Sequence, residues 1–177
     1  MDRTKGEARL SAKFRFWGPA SSFGLLAALL AFVFDQAHKY WMLDVYRIGE
    51  RGRVEITPFF DLVMAWNKGV SYGLFPQQGS AGRFVLIAVS LIAVASLLMW
   101  MANSMTRFAA LSLGLIIGGA LGNLTDRLIY GAVADFFHFH YGDFSWYIFN
   151  IADVAITVGV IGLILDWIWQ PREQHTS

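Results

Sequence analysis

Two stretches of an otherwise apolar chain hold acids where acids are costly: Asp135 in GAVADFFHF and Asp153 in FNIAD. Two carboxylates held close together cannot both ionise. One keeps a proton while the other polarises water, which is what general acid–base work needs. Asn150 and Asp153 also fit a plainer role, as an asparagine N-cap and an acid in the first helical turn. Capping and catalysis do not exclude each other. Asp35 and Lys39 are four residues apart in the favourable order, so they read either as an i,i+4 ion pair with a snorkelling lysine or as part of a site. Asn123, Asp126 and Arg127 close GLIIGGALGNLTDR, where Asn123 and Arg127 share a helix face; Arg127 could equally be a helix-end anchor. In the same segment Gly114, Gly118 and Gly122 recur every four residues, the mark of a close helix–helix contact. His138 and His140 alternate on an extended segment and raise metal binding. With no fixed third ligand, a structural role at the membrane interface is the stronger reading.

The elements that position these residues are membrane spans. Of 177 residues, 56% are hydrophobic and 15% charged, against the ~25% charged typical of soluble domains. A net charge of +1 gives no basis for binding nucleic acid, and the absence of cysteine excludes disulfides and thiolate chemistry. Four apolar segments are expected to form helices: Gly18–Phe34 extending toward Trp41, Phe84–Ala102, Phe108–Thr125, and about Tyr147–Trp169. The last has only twelve uncharged residues between Asp153 and Asp166. To reach the ~20 residues of a span it must carry Asn150 and Asp153 into the membrane. Trp17, Trp41, Trp100, Trp146, Trp167 and Trp169 fall at span ends, as an aromatic belt predicts. The first apolar run exceeds the ~7–15 residues of a signal peptide and reads as a retained span.

The chain is therefore read as one all-α integral membrane domain over residues 1–177, with four transmembrane helices. A small β-rich extracytoplasmic element, about residues 42–82, is expected between helices one and two, because RVEITPFFDLVMAW is rich in β-branched and aromatic residues broken by proline. Arg3, Lys5, Arg9, Lys13 and Arg15 precede the first span, and Arg107 and Arg172 fall on the same side. The positive-inside rule then makes the tails 1–17 and 170–177 cytoplasmic. Arg47, Arg51, Arg53, Lys68 and Arg83 pull the other way, but the first helix usually dominates orientation. On that topology Asp35, Lys39, Asn67, Asn123, Asp126, Arg127, Asp135, Asn150 and Asp153 meet near the outer face. A transporter or proton relay is the alternative, since intramembrane acids serve those too. A relay would spread its titratable groups across the bilayer, however, and helix two has none.

At these residues the sequence resembles the lipoprotein signal peptidases, the type II signal peptidases. Five blocks carry the resemblance in order: DQAHK (35–39), NKGVSYGLF (67–75), GGALGNLTDR (118–127), GAVADF (131–136) and FNIAD (149–153). Ser71 and Tyr72 stand where that family usually has alanine and phenylalanine. The resemblance implies an aspartic endopeptidase of the bacterial inner membrane; the chain is expected to act as a monomer, although the sequence does not fix its oligomeric state. Such enzymes act on diacylglyceryl-modified prolipoprotein within the lipid and cut N-terminal to the lipidated cysteine. By motif match it implies Asp135 and Asp153 as the catalytic pair. Asp35, Lys39, Asn67, Gly69, Asn123, Asp126, Arg127 and Asn150 are implied as supporting or substrate-contacting residues. It further implies inhibition by globomycin-type cyclic peptides and no need for metal or cofactor.

Overall fold

The computed structural model describes residues 17–69, 80–104 and 106–169. The basic N-terminal residues Arg3 to Arg15, Ser71 and Tyr72 with the rest of their block after Gly69, and Arg172 lie outside them. Five helices and four strands follow in chain order: α1 (Ser21–Tyr40), α2 (Ile48–Arg51), β1 (Val54–Thr57), β2 (Phe60–Asn67), α3 (Ser80–Ala102), α4 (Arg107–Ile129), β3 (Val133–Tyr141), β4 (Phe144–Ser145) and α5 (Ile151–Trp169). A π-helical turn, Trp41–Val45, prolongs α1.

Four segments are long and apolar enough to cross a membrane: Ser21–Val45, Gly82–Ala102, Arg107–Ile129 and Ile151–Trp169. Among them α4 is central. It packs against α1, α5 and α3, and more than half of it is buried while the other three turn most of their surface outward. Its small residues permit this. A Cβ on Gly114 or Gly118 would collide with the α1 backbone at Gly24 and Ala28, and one on Gly119 with the α5 carbonyl of Ala152. The helices approach at backbone distance because nothing larger stands between them. Val94, Met101, Ala110, Leu113 and Ile117 fill the apolar interior. The exposed faces (Leu26, Leu29, Leu30, Phe34, Val89, Ile92, Ile161, Ile164) are apolar, as surfaces in contact with lipid must be.

One element differs from expectation. The β-rich region after α1 does form a hairpin, β1–β2, but it is only half of the sheet. The order is β1-β2-β3-β4, all antiparallel, with β3 and β4 drawn from the connection between α4 and α5. The hairpin alone would be marginal, and added strands with an apolar face make it independently stable. That face buries Ala134 and Phe136 of β3 against Met42 and Ile48 below. The pairing aligns Ala65 with Asp135 and Asn67 with Val133, past an irregularity between Leu62 and Ala65.

Candidate functional site

The last turns of α1 and α4, the first turn of α5 and the adjoining ends of β2 and β3 meet at one end of the bundle. Asp35, Lys39, Asn67, Gly69, Asn123, Asp126, Arg127, Asp135, Asn150 and Asp153 are brought together there, whereas His138 and His140 stand elsewhere on the sheet, beside Asp61.

Its base is a buried ion cluster. Lys39 Nζ lies at ion-pair distance from two carboxylates, 2.8 Å from Asp35 Oδ2 and 2.8 Å from Asp126 Oδ2, and donates to Asn123 Oδ1 at 3.2 Å. Lys39, Asp35 and Asp126 are all almost fully buried. Asp35 and Lys39 are thus an i,i+4 pair, but not a surface one. Each carboxylate also takes a backbone donor from another element: Asp35 Oδ1 accepts from Ala152 N at 2.9 Å, and Asp126 Oδ2 from Ala134 N at 3.1 Å. The cluster therefore pins the start of α5 and the start of β3 to the ends of α1 and α4.

Above it three asparagines aim their amides at the two candidate acids. The oxygen of Asn150 accepts from Asp153 N at 3.0 Å, while its Nδ2 donates to Asp135 Oδ1 at 2.7 Å, with Asn123 Oδ1 and the Ala134 carbonyl close by. The oxygen of Asn123 is taken by Lys39 and Asn150, so its Nδ2 donates to Asp153 Oδ1 at 2.9 Å. The oxygen of Asn67 caps its own turn through Gly69 N at 3.0 Å, and its Nδ2 reaches diagonally across the strand pair to Asp135 Oδ2 at 3.2 Å. In each case the oxygen is already engaged, leaving the N–H₂ for a carboxylate.

The capping reading of Asn150 and Asp153 is correct as well. Asn150 N donates to Asp153 Oδ2 at 3.2 Å, which completes a reciprocal capping box. Asn150 thus holds both acids at once, Asp135 by its side chain and Asp153 by its backbone. Asp135 is almost fully buried and Asp153 half-buried. Burial pushes the Asp135 carboxyl up, and the neighbouring Asp153 charge adds to it, to about 7. Arg127 donates to the Asn123 carbonyl at 3.3 Å and to the Gly69 carbonyl at 3.2 Å, joining α4 to the end of the hairpin.

Among the described residues no chain of titratable groups crosses the bundle. Asp166, at the opposite end, accepts from Thr106 Oγ1 at 2.8 Å and helps secure the α3–α4 turn. Sequence reasoning missed Asp61, a fully buried acid of β2 beside His138 and His140. Only the cross-strand register brings them together.

The profile described as "Signal peptidase (SPase) II" matches residues 27–169. A lipoprotein signal peptidase of Nitrobacter hamburgensis is 54% identical over 147 residues, covering 81% of this chain and 90% of that protein. One of Methylocella silvestris is 46% identical, covering 87% and 90%. Among solved structures, a bacterial membrane enzyme determined by the in meso method at 2.3 Å superposes with a TM-score of 0.72 at 26% identity, covering 88% of this chain and 95% of that one. The chain belongs to the signal peptidase II family, and is a peptidase of the membrane.

Proposed function

We propose that this signal peptidase II is an aspartic endopeptidase, and that it removes the signal peptide of diacylglyceryl-modified prolipoproteins by cutting N-terminal to the lipidated cysteine. The observation that carries this reading is the suspension of Asp135 and Asp153 from one residue, Asn150, at the head of α5. A pair with one carboxyl pushed to about 7 shares a single proton near neutrality, and we place that proton on Asp135, the more deeply buried of the two.

Asp153, the more exposed of the two, then takes a proton from water as the water attacks the scissile carbonyl. Protonated Asp135 donates to the carbonyl oxygen as it gains charge. In collapse of the tetrahedral intermediate Asp153 passes its proton to the leaving amine of the cysteine, and Asp135 recovers one from a hydroxyl of the intermediate. Asn67, Asn123 and Asn150 keep the carboxylates in register. Arg127 positions the Gly69 turn, and with it the rim of the site.

The apolar helix faces let a substrate with a signal helix and two acyl chains approach laterally from lipid. Its scissile bond would lie near the outer face, which requires both termini in the cytoplasm. Incubating purified protein with a lipid-modified prolipoprotein should release the signal peptide, read as a mass shift; an intact substrate would reject the activity. Reporter fusions at Ser177 should be active only in the cytoplasm, and activity on the outer side would reject the orientation.

A further inference from the structure

On the sheet, away from the two aspartates, three nitrogens converge on one oxygen. Asp61 Oδ2 lies 3.3 Å from His138 Nδ1, 2.9 Å from His140 Nε2 and 2.6 Å from Arg53 Nη2. Asp61 is fully buried, and its other oxygen, Oδ1, has no hydrogen-bond partner among the described residues. One ligand atom from each of Asp61, His138 and His140 falls within 4.8 Å of the others. Ligands about 2.1 Å from a tetrahedral ion stand roughly 3.4 Å apart, close to the two Asp61–histidine separations.

Second contacts orient the rings. His138 Nε2 stands 2.7 Å from Ser145 Oγ of β4. When it donates there as a neutral ring, Nδ1 turns a lone pair toward the carboxylate, and a cation bound between these two acceptors would satisfy both. His140 Nε2 stands 3.1 Å from Arg53 Nη2, so the guanidinium supplies positive charge at the place where the acceptors meet. Arg53 is 50% exposed and is free to withdraw. The cross-strand pairing of Asp61 with His138 and the alternation of His138 and His140 on β3 build this geometry into the sheet.

We infer that Asp61, His138 and His140 form a binding site for a divalent transition-metal ion of the zinc class. Two imidazoles and a carboxylate suit such an ion, Ser145 orients one ligand from outside, and water would complete the fourth position. The ion would tie β2, β3 and β4 together and displace Arg53. It lies apart from the Asp135–Asp153 pair and takes no part in hydrolysis.

The test uses the full chain with His175→Ala, which removes the histidine of the C-terminal tail. Protein stripped with EDTA in detergent is titrated with Zn²⁺ alone, Co²⁺ alone and Mg²⁺ alone. Zn²⁺ should bind with one-to-one stoichiometry and raise the thermal midpoint, Co²⁺ should develop visible absorption, and Mg²⁺ should do neither. Removing a ligand by His138→Ala or His140→Ala should weaken Zn²⁺ by roughly 100-fold, and Ser145→Ala by roughly 10-fold. Arg53→Ala should tighten it several-fold, because the competing cation is gone. A mere ion-pair cluster would give the reverse: Arg53→Ala would lower stability and leave Zn²⁺ without effect. Should a histidine variant fail to fold, Ser145→Ala and Arg53→Ala decide the matter. Absence of stoichiometric Zn²⁺ binding, or binding indifferent to these substitutions, would overturn the site. No arm reads cleavage, so the result is independent of the proposed peptidase mechanism.

Discussion

Replacing Asp135 by asparagine should abolish cleavage and yet stabilise the protein, but only above neutral pH. Asp135 titrates near 7 in the fold against an ordinary 3.8. Between those values the folded protein binds more protons than the unfolded chain, so this residue's contribution to stability falls as pH rises, beginning near 4 and complete a little above 7. At about 1.4 kcal/mol per pH unit, holding an ionised Asp135 costs about 4 kcal/mol at pH 8. An asparagine side chain avoids that cost but introduces another. Asp135 offers one oxygen to Asn150 and one to Asn67; the amide must turn its N–H₂ toward one of those donors, at about 1–3 kcal/mol. The net gain at pH 8 is then about 1–3 kcal/mol, or very roughly 2–10 °C in thermal midpoint for a chain of this size. At pH 4 the ionisation term vanishes, and the variant should be no more stable than the native protein. Unfolding in detergent, followed by tryptophan fluorescence from pH 4 to 8, reads the difference, while cleavage of lipid-modified prolipoprotein should fall by roughly 10²–10⁴. A stability difference of the same size at pH 4 and pH 8 would refute the argument, as would near-normal cleavage by well-folded Asp135→Asn protein.

Asp153→Asn should lose cleavage to a similar extent, and the double variant should be little worse than either single one, because residues acting as a unit fail together; kinetics showing multiplied losses would reject a dyad. Arg127→Lys should impair cleavage and weaken globomycin-type inhibition, since a point charge cannot hold the Asn123 and Gly69 carbonyls as a planar fork does; wild-type kinetics and inhibitor affinity would count against that role. Lys39→Met keeps the apolar stem but strands two buried carboxylates, so unfolding free energy should fall by about 3–5 kcal/mol; a loss under about 1 kcal/mol would show that Lys39 does not hold the cluster.

Much of this arrangement follows from local chemistry. The cost of moving charge into hydrocarbon is paid residue by residue, so the four spans, and the need for Asn150 and Asp153 to enter the membrane together, can be read along the chain. The capping box at Asn150–Asp153 and the i,i+4 pair at Asp35–Lys39 lie within one or two helical turns and are equally legible. The four-residue glycine repeat of α4 announces a close contact, though not that α1 takes Gly114 and Gly118 while α5 takes Gly119.

What the tertiary structure alone decided is long-range partnership. Strands β2 and β3 are separated by some 65 residues and a pair of membrane helices, and no local periodicity encodes their register, which a one-residue slip would invert. That register sets Asn67 diagonally across from Asp135 and places Asp61 beside His138 and His140. Lys39 likewise serves two carboxylates because α1 and α4 pack at backbone distance, so an apparent surface pair becomes a buried anchor. The orientation of each asparagine amide is decided last of all, since it depends on which neighbour has already claimed its oxygen.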